Sequence, residues 1–295
     1  MTNQSIADLA PTADDTPSIL RRLLGNSAIA IGAIIIAAIV LAAALAEVIA
    51  PYDPLFANPL VRHKLPLSAG YLLGTDELGR DILSRLIYGA RLALLVAVVP
   101  TLIALVIGGC IGLIAGYAGG TWDHVVMRVF DVMFAFPGIL LALGISAALG
   151  PGLGSMIIAM VVVTIPTFGR VVRGGVLAVK EEPYIEAARA LGYGAFRIAL
   201  RHVAPNVLGA AIVYATLQTG RNVILAASLS FLGLGPQPPT PDWGQMLSAG
   251  RTSLAIAAHV STIPGLAIVL LAIGFNLLGD GARDLLDPRM KREQP

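Results

Sequence analysis

Residues 92–117 read LALLVAVVPTLIALVIGGCIGLIAGY, a stretch without a charged side chain. A helix that crosses the hydrocarbon core of a bilayer needs about 20 mainly apolar residues. This stretch is longer than that, so it predicts a membrane-spanning helix. The whole chain agrees, because 56% of its 295 residues are hydrophobic and 13% are charged, with a mean hydropathy of +0.81. Soluble domains carry about 25% charged residues, so a water-soluble globule is excluded.

Six stretches of the sequence are candidate membrane spans: 27–50, 92–117, 125–149, 155–169, 207–234 and 255–278. The sequence therefore predicts an all-α polytopic membrane protein with six transmembrane helices. An even number of spans places both termini on the same side of the membrane. Most of the 20 lysines and arginines then fall on the side of the termini. Because positively charged segments stay in the cytosol, we expect both termini to be cytoplasmic.

The start of the chain allows two interpretations. Arg21 and Arg22 precede an apolar run, and Ala44-Leu45-Ala46 resembles a signal-peptide cleavage site. The apolar run is, however, longer than the about 7–15 residues found in a signal peptide, and a polar leader precedes it. We therefore expect an uncleaved first span, with a cleaved signal peptide as the alternative.

The predicted spans divide the chain into tails, loops and a helical core. A polar tail precedes the first helix, and a long outer loop separates that helix from a core of five helices. The core contains an inner loop, and a short cytoplasmic tail ends the chain. The expected boundaries are 1–26 for the N-terminal tail, 27–50 for the first helix, 51–91 for the outer loop, 92–279 for the core, 180–206 for the inner loop and 280–295 for the C-terminal tail.

The inner loop, residues 180–206, reads KEEPYIEAARALGYGAFRIALRHVAPN and is too regularly patterned for a passive linker. Its pattern predicts a helix, a turn at two glycines and a second helix. Two apolar stripes are expected, formed by Ile185, Ala188 and Leu191 in the first helix and by Phe196, Leu200 and Val203 in the second, which ends at Pro205. The residues alone leave two interpretations open: an amphipathic hairpin on the lipid surface, or an element that docks with another protein.

The same loop resembles a motif of a known family. Glu186-Ala187-Ala188, followed by Gly192, Ile198, Leu200 and Pro205, is similar to the EAA loop of binding-protein-dependent ABC importer permeases. Further motifs resemble the C-type permease subunit of dipeptide and oligopeptide importers. They are LGTDELGRD at 73–81, Ser84-Arg85 with Gly89-Ala90-Arg91, Asp131 with Phe136-Pro137-Gly138, LSFLGLG at 229–235, Pro239, Trp243-Gly244 and GARDLLDP at 281–288.

This resemblance implies the transmembrane pore subunit of an ATP-driven ABC importer for peptides or peptide-like small solutes in the cell inner membrane. The expected partners are a homologous second permease subunit, two ATPase subunits or domains, an extracytoplasmic solute-binding protein and the lipid bilayer, with no nucleic acid. ATP and Mg would bind to the ATPase partners, and no cofactor is expected in this chain. The sequence agrees, because a Walker A loop needs Gly-Lys, whereas Lys64, Lys180 and Lys291, all the lysines of the chain, do not follow glycine.

The resemblance also implies roles for residues of the inner loop. The residues expected to couple the chain to the ATPase are Glu186, Ala187, Ala188, Gly192, Leu200 and Pro205. Glu186 would pair with a basic group of the ATPase, the two alanines would allow close approach, and Gly192 would allow the turn. Closure of the ATPase dimer would then push the loop and tilt the spans.

Arg221 and Asn222 interrupt the fifth predicted span. A charge at the centre of the bilayer is costly, so it normally faces a water-filled cavity or a partner. One interpretation is that both residues line the substrate pathway, where Arg221 meets a carboxylate or a phosphate. The alternatives are an ion pair with the partner permease and snorkelling of the arginine. The sequence does not choose among dipeptides, oligopeptides, nickel chelates and glutathione, although Arg221 favours an anionic group.

Other functions find less support in the residues. The chain has no G-x-S-x-G or H-E-x-x-H motif, and its net charge of +2 gives no basic surface for nucleic acid. We therefore expect no enzyme. We also expect no metal site, because the spacing of metal ligands is not found among His63, His124, His202, His259 and Cys110. A self-sufficient membrane channel or secondary carrier subunit remains the alternative. For the outer loop, a cap over the pore and a docking surface for a binding protein both remain open.

Overall fold

The chain folds almost entirely into helices. A computed structural model describes residues 27–286, and the predicted N-terminal tail at 1–26 and the terminal residues 287–295 lie outside this part. Within the described range there is no β-strand and only two isolated bridges, so the predicted all-α class is confirmed. The helices are α1 (Ser27–Ala44), α2 (Ala46–Ile49), α3 (Ile82–Ala118), α4 (Gly120–Phe134), α5 (Gly138–Leu149), α6 (Leu153–Val179), α7 (Pro183–Ala190), α8 (Ala195–Ile198), α9 (Ala204–Phe231), α10 (Trp243–Gly250) and α11 (His259–Leu286).

Five helices of the described chain are long and apolar enough to cross a membrane: α1, α3, α6, the run Ala195–Phe231 and α11. The sixth candidate span is the pair α4 and α5, which are bent by 89°. The predicted polytopic membrane fold is therefore confirmed, but the third span is not the straight helix expected over 125–149. The break falls at Pro137, the N-cap residue of α5, which has no N–H for the helical hydrogen bonds.

Three long helices extend beyond the apolar stretches that predicted them. α3 begins at Ile82 instead of residue 92, α6 continues to Val179 instead of residue 169, and α11 continues to Leu286 instead of residue 278. Hydropathy identifies only the part of a helix that lies in the hydrocarbon core of the membrane. The helix itself is longer, because its backbone hydrogen bonds continue into the polar residues on either side. The loop before α3 is consequently shorter than predicted and ends at the N-cap residue Asp81.

The antiparallel helices give the described chain two ends. The α7 end carries the start of α1, the turn between α3 and α4, the loop after α6 and the end of α11. There, Lys180 donates a hydrogen bond to the carbonyl oxygen of Gly116 in α3 (3.4 Å). The α10 end carries residues 51–81, the turn before α6 and α10 itself. There, Trp243 donates from Nε1 to the carbonyl oxygen of Leu86 in α3 (2.9 Å).

Glycines form the closest contacts between helices. α3 and α6 share the most extensive helix contact of the described residues. A Cβ atom at Gly112 in α3 would overlap the carbonyl oxygen of Gly169 in α6. α1 approaches α11 in a similar way, with Gly32 against the backbone of Gly274. Such contacts let backbones approach closely in lipid, where little hydrophobic force drives helix association.

Candidate coupling hairpin and transport cavity

Residues 180–206 form a hairpin at the α7 end, here called the α7–α8 hairpin, and the predicted helix-turn-helix is present. α7 begins at Pro183, with Glu182 as its N-cap residue. The inner side of the hairpin is attached to α6 and α9 by an apolar contact. The side chains of this contact are Ile185, Ala188, Ile198 and Val203 of the hairpin, with Val172, Val176, Val207 and Ala211 of the two spanning helices.

The outer side of the hairpin exposes apolar side chains. Leu191 is 74% exposed, Phe196 is 79% exposed and Leu200 is 50% exposed. Leu191 therefore does not share the buried face of Ile185 and Ala188. Val203 is buried, unlike Phe196 and Leu200, so each predicted stripe is divided. The reason is that α7 ends at Ala190, and a π-helical turn at Ala199–Val203 changes the spacing after α8.

The predicted coupling residues divide between the two sides of this hairpin. Ala188 is buried, whereas the exposed ones are Glu186, Ala187, Gly192, Leu200 and Pro205. Within residues 27–286, the Glu186 carboxylate makes no hydrogen bond or ion pair. The hairpin thus presents an unpaired acid beside exposed apolar side chains.

The turn of the hairpin depends on Gly192. Its φ of +80° lies in a region that residues with a side chain rarely adopt. Its N–H donates to the carbonyl oxygen of Arg189 (2.9 Å), and the N–H of Tyr193 donates to that of Ala188 (3.1 Å), which closes the end of α7. Gly194, by contrast, has an ordinary φ of −66° and open space where a Cβ would lie.

Pro205 does not end the second helix, so this prediction is corrected. α8 passes through the π-helical turn Ala199–Val203 into α9, which has Pro205 in its first turn. Proline has no N–H for the carbonyl group four residues earlier, and the wider turn accommodates this loss while the helix continues. The hairpin therefore leads directly into a spanning helix.

A cavity of about 220 Å³ lies between α9, α6 and the break that separates α4 from α5. Its lining combines aromatic rings, hydroxyl and amide groups and one cation, including Phe134, Phe136, Thr164, Thr167, Gln218 and Arg221. The Arg221 side chain is exposed, and it has no hydrogen bond or ion pair to any other residue that the structure describes. The cavity therefore contains an uncompensated positive charge within a spanning helix.

Asn222 lies away from this cavity, although it follows Arg221 directly. It is 1% exposed and donates from Nδ2 to Thr101 Oγ1 of α3 (2.9 Å). Gln218 donates to Asn222 Oδ1 (3.3 Å), and Thr101 donates to the carbonyl oxygen of Ala97 (2.8 Å). The two predicted pathway residues thus have different surroundings: Arg221 lines a cavity, and Asn222 joins α9 to α3.

Two ion pairs hold α4 against α6. Asp123 accepts from the Nε and a terminal nitrogen of Arg173 (2.5 and 2.6 Å). Asp131 accepts from Arg170 (2.5 Å), whose guanidinium lies 4.1 Å from the centre of the Phe134 ring. Sequence reasoning did not find these pairs, although isolated charges within apolar stretches are a signal for such partners.

At the α10 end, residues 73–81 form a compact cap on the start of α3. Asp76 is at its centre, where Oδ1 accepts from the backbone N–H of Arg80 (2.9 Å) and Oδ2 accepts from Arg80 Nε (2.6 Å). Arg80 pairs with Asp76 and Glu77, while Asp81 caps α3. The geometry supports the interpretation of this loop as an ordered cap.

Comparison with known proteins gives two family matches along the chain. Residues 108–292 match the binding-protein-dependent transport system inner membrane component, and residues 18–66 match the N-terminal transmembrane domain of oligopeptide transport permease C. These matches confirm the resemblance to C-type permeases of peptide importers that the motifs of the sequence indicate.

Individual relatives agree with the family matches. The chain is 46% identical over 240 residues to the glutathione transport system permease protein GsiD of Escherichia coli O6:K15:H31, covering 81% of this chain and 77% of the relative. It is also 46% identical over 224 residues to the protein of the same name from Pectobacterium atrosepticum, covering 76% of this chain and 74% of the relative. These relatives are transport subunits and not enzymes, as predicted. The chain therefore belongs to the family of binding-protein-dependent transport system inner membrane components, and it is the multi-pass pore subunit of an ABC importer.

Proposed function

We propose that an ATPase subunit drives this pore through the α7–α8 hairpin. The observation that carries the proposal is the difference between the two sides of the hairpin. Its inner side packs against α6 and α9, while its outer side exposes Leu191, Phe196 and Leu200. Exposed apolar patches mark contacts with other molecules. The neighbouring Glu186 carboxylate, which is unpaired within residues 27–286, suits a basic group of the ATPase.

The other expected coupling residues have distinct parts in this proposal. Ala187 is small and exposed, so the ATPase surface can approach the backbone closely at this point. Gly192 supplies the turn, and Ala188 anchors the hairpin to α6 and α9. Pro205 lies where the hairpin joins α9, so a push on the hairpin acts on the start of a spanning helix.

The working complex in this proposal contains more chains than the pore subunit described here. A homologous second permease completes the pore, and two ATPase subunits or domains bind ATP and Mg at the α7 end. A solute-binding protein delivers cargo to the α10 end. The α7 end then faces the cytosol together with both termini, in the inner membrane. The bias of lysines and arginines towards that side supports this orientation.

The cargo in this proposal is a peptide or a peptide-like small solute. The support is that one family match is described by oligopeptide transport, and two relatives are named for glutathione transport. The cargo passes Arg221, whose side chain lines the cavity. Asn222 holds α9 against α3 behind that cavity through Thr101, so it maintains the shape of the route.

Purification of the tagged chain from native membranes in mild detergent tests the complex. Mass spectrometry is expected to find an ATPase and a second permease. Gly192→Val is expected to lose the ATPase, because a β-branched side chain at positive φ costs about 1–2 kcal/mol and distorts the turn. Gly194→Val is the matched control and retains the ATPase, because its φ is ordinary. Recovery of the chain alone, even after crosslinking through residues 180–206, would refute the proposal.

A further inference from the structure

The cation in the cavity between α9, α6 and the α4–α5 break lacks a partner in the described chain. Arg221 lies in the middle part of α9, and Pro166, near the centre of α6, lines the same cavity. A charge at this depth of a membrane is costly unless water or a partner compensates it. The side chain is nevertheless exposed and makes no hydrogen bond or ion pair within residues 27–286.

The two arginines of α6, unlike Arg221, form ion pairs with acidic side chains. Arg170 pairs with Asp131, and Arg173 pairs with Asp123. No acidic side chain is among the residues that line the cavity. Arg170 and Arg173 are thus each compensated by an aspartate of α4, whereas Arg221 is a positive charge in a cavity lining that contains no acid.

We propose that the Arg221 cavity is an anion-binding site that holds a carboxylate group of the cargo, an inference that rests on the proposed transport function. Guanidinium binds carboxylate with two parallel hydrogen bonds, which makes arginine well suited to this group. Thr167, half-buried at the cavity wall, offers a hydroxyl group, and Phe134 and Phe136 offer apolar surface to the rest of the bound end.

The size of the cavity limits what it holds. Its volume of about 220 Å³ is smaller than the about 300–1,000 Å³ of sites that enclose a whole drug-sized ligand. It therefore accepts one end of a peptide-like solute, consisting of the carboxylate and the adjoining side chain. The same preference would extend to any small organic acid, which makes charge, and not peptide sequence, the property to test.

Chemical modification of a cysteine in the cavity measures its charge without knowledge of the cargo. The assembled complex is reconstituted in liposomes with the partner cysteines removed, Cys110 replaced by Ser, and Thr167→Cys as the probe. The reagents are an anionic sulfonatoethyl and a cationic trimethylammonioethyl methanethiosulfonate. Each rate is divided by the rate of the same reagent with a small thiol in solution, and all rates compared below are these relative rates. We expect the anionic reagent to have a relative rate about tenfold higher than the cationic one, because the Arg221 charge acts over a short distance in a weakly screened site.

Two variants assign this preference to Arg221. Arg221→Gln is expected to bring the two rates close together, and Arg221→Lys to keep most of the difference. Arg128→Gln is the matched control, since Arg128 is an exposed arginine of α4 that does not line the cavity. S-Methylglutathione, in which the thiol is blocked and both carboxylates remain, is expected to slow the modification in the presence of Arg221, and its diamide is expected to slow it much less.

Three results would overturn the inference. Equal rates for both reagents before mutation would mean that an acid of the second permease neutralises Arg221. Absence of reaction with either reagent, with and without ATP, would mean that water does not reach the cavity. Equal protection by S-methylglutathione and its diamide would mean that no carboxylate is bound. ATP-driven uptake by the same complex is measured in parallel, so failure of the proposed transport function is recognised separately.

Discussion

Asp242 is a buried acid at the start of α10, outside the candidate membrane spans. It is 5% exposed, and its side chain caps the helix by accepting from the N–H of Gln245 (2.8 Å). Burial raises the pKa of the Asp242 carboxyl, while hydrogen bonds to it and the charge of Arg85 act in the opposite direction. The folded state therefore favours the protonated acid more than the unfolded chain does. The sequence Asp242-Trp-Gly-Gln245 signals the cap, but nothing in it indicates the burial.

We expect Asp242→Asn to stabilise the protein at neutral pH and to have little effect in acid. Because the folded pKa is raised, the wild-type protein loses stability as the pH rises from the usual range of aspartate through the folded value. Asparagine keeps the cap without this cost. The midpoint of thermal unfolding in detergent, measured at acidic and at neutral pH, gives the comparison. A lower midpoint for the variant at neutral pH would show that the ionised carboxylate stabilises the fold.

For single residues, the sequence predicted backbone conformation better than side-chain exposure. Gly192 was expected to turn the chain, and its φ of +80° agrees. The exposure of Leu191 and Phe196 was not foreseen. Helical spacing assigns a face only within a continuous helix, whereas Leu191 follows the end of α7 and Phe196 belongs to a helix of about one turn. Their exposure follows from how the hairpin packs on α6 and α9.

Among the helices, the contact of α3 with α6 depends on Gly112. Gly112→Ala is expected to lower the free energy of unfolding by about 1–3 kcal/mol, because its Cβ would overlap a backbone oxygen that cannot yield easily. Gly109→Ala is the matched control, since its Cβ would lie 3.8 Å from the Val172 side chain, an ordinary contact. Unfolding in mixed detergent micelles measures both variants. Equal losses would contradict the assignment of the close contact to Gly112.

The attachment of α4 to α6 is expected to depend on the Asp123–Arg173 pair. Arg173→Asp places two acids together and lowers the free energy of unfolding by about 1–3 kcal/mol, and adding Asp123→Arg recovers part of the loss. Arg128→Ala is the control. Arg128 is strongly exposed and lies 3.9 Å from Asp131, and an exposed pair of this kind contributes only about 0–1 kcal/mol, so we expect little loss of stability. Unfolding in mixed detergent micelles measures the stability of these variants. If the double variant is no more stable than Arg173→Asp alone, the pair does not hold α4.

Prolines show why the break between α4 and α5 was not predictable. Pro100, Pro166 and Pro264 lie inside continuous helices, and only Pro137 falls at a break among the spans of the described chain. All four look alike in the local sequence. A proline removes one hydrogen bond, and contacts with the rest of the protein decide whether the helix continues. Here those contacts include the ion pairs of α4 with residues of α6 that lie 39 and 50 positions later in the chain.

In the molecule as a whole, α6 connects the hairpin with the cavity. One end of α6 leads into the α7–α8 hairpin, and its Arg170 and Arg173 bind α4. Thr164 and Thr167, further along the same helix, line the cavity. In the proposed mechanism, a displacement of the hairpin acts on the cavity through this one continuous helix, as rigid elements do in switching proteins. The sequence predicted the spans, the inner loop and the family, but these connections arise only from packing.

Uptake and ATP hydrolysis, measured together in liposomes containing the assembled complex, test whether the α7–α8 hairpin couples the ATPase to transport. Glu186→Arg is expected to reduce ATP-driven uptake about tenfold or more, because a reversed charge meets the basic group that Glu186 contacts. Insertion and assembly with the second permease remain normal. Glu181→Arg makes the same charge change on an exposed residue before α7 and is expected to retain uptake. Wild-type rates of uptake and hydrolysis for Glu186→Arg would contradict the coupling role of the hairpin.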